Sequence, residues 1–193
     1  MLIEEAIRSR ASIKVFSEKE VSVDLIERCL DAAVWAPNHH LTEPWSFHVV
    51  TRDAREMLAR IVKEEMVQRA TGIDAAVAQA KAFKERQKLF SAPAIVAVYS
   101  DAGRNEKATQ ENFAASAAAA QNILLMAQSL GLASIWRTGA IYDFPGVRKA
   151  LRVREGATFV GALFLGYSAQ REVKRRRTPA AEKTVWLAGD DGL

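Results

Sequence analysis

Only one cysteine occurs in the chain, Cys29, so no internal disulfide can form and no Cys/His cluster is offered for a structural metal. That scarcity suits a reducing compartment, and the cytoplasm is the expected location. The three histidines, His39, His40 and His48, have no carboxylate pattern that completes a metal site. No apolar run reaches the ~18 residues of a membrane span. The nearest, Phe113 to Leu132, is broken by Ser116, Gln121, Asn122, Gln128 and Ser129. Glu4 and Glu5, with no apolar segment behind them, argue against a secretory leader. Charge of one sign is not in large excess: 27 Lys and Arg against 23 Asp and Glu leave +4, spread thinly except near the C-terminus. Nucleic-acid binding would want a concentrated basic face. Also absent are a GxSxG elbow, an HExxH helix, a P-loop and a GxGxxG turn after a strand. An enzyme built from what remains would borrow its reactive group from a cofactor.

What is present is an ordinary globular composition, 49% apolar and 26% charged over 193 residues. One domain spanning 1–193 is expected, able to bury roughly 70% of its unfolded surface. The pattern predicts a short helix over residues 2–9 and another from Val23 to Trp35. Ser22 caps the second, which buries Leu25, Ile26, Cys29, Leu30 and Ala33. Cys29, on that apolar face, reads as core rather than nucleophile. A strand is expected at Trp45–Val50, and Asp53 with Glu56 resembles a capping box opening a helix towards Ala70. Further helix covers about Ile73–Leu89, and buried strands are expected at Ala94–Tyr99, Ala133–Thr138 and Thr158–Gly166. Residues 108–130 hold eight alanines, are apolar on nearly every side and end at Gly131. Such a helix is either central core or shared with a second subunit. Thr184–Leu187 is read as an edge strand or a docking segment. Helices outnumber strands without clean βαβ alternation, which gives an α+β class.

Three segments carry the chemistry. Arg10, Ser12 and Lys14 alternate, so an extended backbone presents a guanidinium, a hydroxyl and an ammonium on one face, suited to a phosphate and a polar ring edge. Two indoles, Trp35 and Trp45, and two imidazoles, His39 and His40, lie around the proline-stiffened loop from Pro37 to Pro44 and could stack on a flat ring. Arg175 and Arg177 precede Pro179. Each has a plainer reading: chance alternation, an aromatic loop packed on core, and a solvated basic run.

Taken in order, these segments resemble the FMN-dependent nitroreductases. Ile7 to Phe16 is similar to that family's Arg-Arg-Ser-x-Arg/Lys-x-Phe opening, with Ala11 in place of the second basic residue. Ala36 to Phe47 resembles its Ala-Pro … Gln-Pro-Trp-x-Phe block, with Glu43 where Gln is usual. His39 and the turn Trp136-Arg137-Thr138-Gly139 point to a compact subgroup with Ala-Pro-Asp/Asn-His and Trp-Arg-Ser/Thr-Gly motifs, and Arg175-x-Arg177 is similar to the late phosphate element.

The resemblance implies a central, mostly antiparallel sheet flanked by helices, in an intertwined homodimer with FMN at the interface. It implies that Arg10, Arg175 and Arg177 neutralise the FMN phosphate, with Ala11 and Ser12 in the same contact stretch. Lys14 lies at the flavin's pyrimidine edge, and Trp136, Arg137, Thr138 and Gly139 meet the ring. Trp35 and His39 arrive from the partner subunit. NADH or NADPH would reduce the flavin, and a nitroaromatic, quinone or related acceptor would reoxidise it by ping-pong hydride transfer. No side chain is singled out as catalytic, and no nucleic acid or membrane partner is expected. The alternative readings are a flavin carrier or sensor without turnover, and a small basic nucleic-acid binder using Lys174 to Arg177.

Overall fold

The computed structural model describes residues 1–70, 72, 74–170 and 176–187. In chain order the elements are α1 (Ile3–Ser9), α2 (Val23–Ala33), β1 (Trp45–Thr51), α3 (Ala54–Gln68), α4 (Ala75–Leu89) and β2 (Ala94–Ser100). Then come α5 (Glu106–Ser129), β3 (Ala133–Arg137), α6 (Pro145–Ala150) and β4 (Thr158–Gly166). The strands form one sheet in the order β1-β2-β4-β3, antiparallel throughout. The α+β expectation and its mostly antiparallel sheet are met.

Every residue of β2 is buried, because helices cover both faces of the sheet. Its alternation divides the core. Val96 and Val98 face α2 and α5, joined by Cys29, Ala119, Ile123, Leu163 and Leu165. Ile95, Ala97 and Tyr99 face α3 and α6, with Leu58, Val62, Leu89, Val147 and Phe164. Cys29 is fully buried, and burial pushes its thiol up to about 11, as a core cysteine requires.

Local signals act where the sequence places them, with two exceptions. The Ser22 hydroxyl accepts from the Leu25 N–H, and Gly131 takes φ +77° just beyond α5. Asp53, however, makes no capping hydrogen bond. Glu56 is drawn away to Arg86 on α4, at 2.9 Å, so an interhelix ion pair replaces the expected box. The second exception is the Thr184–Leu187 segment. It forms no strand, and Val185, Trp186 and Leu187 are exposed. Its β-branched and aromatic residues have no strand edge beside them, and propensity alone does not pair a strand.

The α5 helix begins at Asn105, whose side chain accepts from the Ala108 N–H, and rises about 36 Å. One side, through Ala115, Ala119, Ile123 and Ala127, lies in the core. Phe113, Ala114 and Gln121 are exposed. The apolar circumference read from the sequence is thus half satisfied within one chain. Among the described residues, no helix is long and apolar enough to cross a membrane.

Candidate functional site

The segment after α1 is extended and lies beside β3. Ser12 bridges Ser134 in parallel, and the Ile13 N–H donates to the Ser134 carbonyl at 2.9 Å. Further on, Ser17 and Ala169 exchange bonds with Tyr167 and Val15. The alternation expected there is observed. Ala11 is buried and Ile13 half-buried, while Ser12 and Lys14 are exposed on the other face. Arg10 is half-buried at the start of this stretch. Gln170, which the sequence did not single out, clamps the segment: its Oε1 accepts from the N–H groups of both Lys14 and Val15, each at 3.0 Å. Nothing local could reveal it, since the partners are more than 150 residues apart in sequence.

β3 ends in Trp136 and Arg137, and Thr138 and Gly139 follow it. The Trp136 indole turns away to lie across Gly161 of β4 and donates to the Val160 carbonyl at 3.3 Å, so what it offers outward is backbone. The Arg137 guanidinium sits 4.7 Å from the Phe164 ring centroid. Thr138 is exposed. Gly139 has φ −106°, and a Cβ there would make only ordinary 3.8 Å contacts with Ile141 and Tyr142. The chain's own packing therefore does not demand glycine at this position.

The loop from Pro37 to Pro44 is held by α5. The His39 Nδ1–H donates to Glu111 Oε2 at 2.8 Å, Thr42 Oγ1 donates to Asn112 Oδ1 at 3.1 Å, and Asn112 Nδ2 reaches the Asp101 carbonyl at 3.1 Å. Within the loop, Asn38 Oδ1 accepts from the Glu43 N–H. His40, Leu41 and Glu43 all have positive φ, between 42° and 54°. Three such non-glycine residues close together store strain that these side-chain ties must hold. The His39 hydrogen bond draws the Glu111 carboxyl below its usual range, with Lys107 and His40 adding to the pull. A polar cleft of about 740 Å³ opens here, lined among others by His39, Thr42, Asp101, Arg104, Lys107 and Glu111. His48, by contrast, is a strand residue 3.1 Å from the Ser46 hydroxyl, and burial lowers its pKa.

Trp35 is 85% exposed. It flanks an apolar groove of about 440 Å³ with Met1, Ile3, Ala6, Leu125 and Met126. A larger groove of about 900 Å³ between α3 and α4 includes none of the predicted site residues.

The predicted residues thus fall into two groups. Arg10, Ala11, Ser12 and Lys14 belong to the segment that bridges Ser134 of β3, the strand leading into Trp136 to Gly139, and Ser9, next to Arg10, accepts from Gln128 near the end of α5. His39 is tied to Glu111 near its start. From Glu111 to Gln128 the helix rises about 26 Å. Arg177 is exposed and donates to the Arg176 carbonyl at 2.9 Å, while Arg175 and Lys174 lie outside the described residues.

Comparison with known proteins places this geometry among relatives. A profile described as the Nitroreductase family matches residues 7–167. The chain is 32% identical over 166 residues to the Escherichia coli (strain K12) protein named "Putative NAD(P)H nitroreductase YdjA", covering 84% of this chain and 86% of that one. A nitroreductase-like family protein from Bacillus cereus superposes with a TM-score of 0.84 at 28% identity, over 98% of this chain and 97% of the other. A nitroreductase with bound FMN from Bacteroides fragilis superposes with a TM-score of 0.75 at 25% identity, covering 97% of this chain and all of that one.

Proposed function

Because the chain belongs to the nitroreductase family, we propose that it binds FMN between two copies of itself and passes hydride from NADH or NADPH to a nitroaromatic, quinone or related acceptor. The observation that carries the reading is the pairing of Ser12 and Ile13 with Ser134, which sets the Arg10–Lys14 segment beside the strand that leads into Trp136 to Gly139. Ser12 and Lys14 are exposed and Arg10 half-buried along this segment, and Thr138 is exposed in the turn before Gly139. That donor set matches a phosphate and the polar edge of a flavin, and the glycine leaves backbone open to a flat ring.

Bound FMN would supply the two-electron carrier. Arg10 and Ser12 hold the phosphate and ribityl end, Ala11 contributes backbone, and Arg175 and Arg177 add positive charge. Lys14 places its ammonium where reduction leaves negative charge, which stabilises the reduced form more than the oxidised one. Trp136, Arg137, Thr138 and Gly139 support the ring edge. His39 and Trp35 serve the flavin of the other copy. The ~26 Å of α5 between the two groups is the physical reason for this: one copy does not close both halves around one ring. The exposed flank of α5, with Phe113 and Ala114, suits such a second copy.

Nicotinamide and acceptor take the same place in turn, so the kinetics are ping-pong. The test is a visible spectrum of the purified protein, mass identification of the chromophore released by heat, and its oligomeric state. Bound FMN in a dimer, with parallel double-reciprocal plots for NAD(P)H and a quinone, is the expected result. A colourless monomer that does not take up added FMN refutes it.

A further inference from the structure

The cleft beside the loop from Pro37 to Pro44 contains a bonded imidazole–carboxylate pair with an open side. His39 gives its Nδ1–H to Glu111, at 2.8 Å, and its side chain remains 57% exposed. The other charged groups facing it have their own places. Lys107 lies 3.9 Å from the second Glu111 oxygen, and Asp101 is engaged by Arg154. The His40 ring stacks on His39 at 3.9 Å, and Arg104 lines the same cleft. The backbone that presents His39 is held in a strained conformation by Asn38 and by the Thr42–Asn112 bond. Mere solvation of a surface histidine would need neither the strain nor the carboxylate.

We propose that His39 is the proton donor to the acceptor being reduced, and that Glu111 is the positioning residue that orients it. The inference rests on the flavin reading above and extends it to the proton. A carboxylate on Nδ1 fixes one tautomer in the neutral ring and directs Nε2 outward. The doubly protonated imidazolium is the form able to donate from Nε2. A quinone becomes a hydroquinone by gaining two electrons and two protons. The hydride from reduced FMN brings both electrons and one proton. The second proton passes from His39 Nε2 to the anionic oxygen, the N–H bond breaking as the O–H bond forms, and solvent reprotonates the ring.

The experiment uses the FMN-loaded protein with 2-methyl-1,4-naphthoquinone as acceptor and NADH as donor. The kcat/KM for the quinone is measured against pH in wild type, Glu111→Gln, Glu111→Asp and His39→Gln. The imidazole signals are followed by NMR over the same pH range and assigned by the His39 variant. Glu111→Gln is expected to lower quinone kcat/KM about tenfold and to displace the His39 imidazole signals. Glu111→Asp should restore part of the rate. His39→Gln should lower quinone kcat/KM about 100-fold at neutral pH. A flavin-loaded Glu111→Gln protein whose quinone profile coincides with wild type overturns the proposal while the flavin reading stands. A protein that holds no FMN overturns both, and the NMR titration then reports only whether the pair exists.

Discussion

Adding a single methyl group at Gly161 should be costly, and the reason is Trp136. The two residues sit on neighbouring strands, and the indole lies flat across the glycine. A Cβ at residue 161 would lie 2.6 Å from Trp136 Cδ1 and 2.7 Å from Cε2, and closer still to Nε1. Real side chains do not approach so closely, so the indole must swing out. It would lose its bond to the Val160 carbonyl, worth about 1 kcal/mol. Forcing extra volume into a packed core costs about 1–3 kcal/mol. Replacing glycine returns about 0.4–1 kcal/mol through the unfolded chain. Gly161→Ala should therefore destabilise by about 1–3 kcal/mol, a fall of about 2–12 °C in Tm for a chain of this size. The assay is a thermal melt combined with a double-mutant cycle. In a Trp136→Ala background the obstruction is gone, and Gly161→Ala should then cost nothing further. Equal costs in both backgrounds would refute the account. So would a fully stable Gly161→Ala protein.

Three further outcomes are expected. Lys14→Ala should lower the two-electron midpoint potential of bound flavin by about 30 mV, the equivalent of ~1.4 kcal/mol, read by dye equilibration; an unchanged potential removes Lys14 from the ring edge. Gln170→Ala frees the N–H groups of Lys14 and Val15 and should weaken FMN affinity about tenfold in a fluorescence titration, with little loss if that segment needs no clamp. Cys29, raised to about 11, should stay unreactive towards a thiol reagent at pH 8 until the protein unfolds. Because the folded thiol holds its proton after the unfolded one has lost it at about 9, stability should fall as pH rises from about 9 to about 11, and Cys29→Ala should lack that part of the decline.

Much of the fold was legible because its signals are local. The buried apolar run Ala94–Tyr99, the Ser22 cap and the Gly131 turn each act within a few residues, and each was found where expected. Where a local signal failed, a distant partner had won. Glu56 reads as a capping residue until α4 brings Arg86 to it, and Thr184–Leu187, read as an edge strand or a docking segment, pairs with no strand and stays exposed. The candidate site divides in the same way. Arg10, Ser12 and Lys14 were visible as a pattern because an extended chain repeats every two residues. Gln170, Glu111 and Asn112 were not, because their meaning lies wholly in partners tens of residues away or more.

The amino-acid sequence alone determined the class of the protein: helices that outnumber strands, a doubly buried β2, a lone core cysteine, and an ordered set of motifs shared with a family of flavin enzymes. Periodicity and motif order are properties of a linear string, and no folded neighbour is needed to express them. Only the tertiary structure decided which motifs could meet. It laid the Arg10–Lys14 segment beside β3 at Ser134, turned the Trp136 indole onto Gly161, and tied His39 to Glu111 far along α5 from the first group. Distance in space along a rigid helix and a shared sheet is set by packing, and packing depends on all the elements at once.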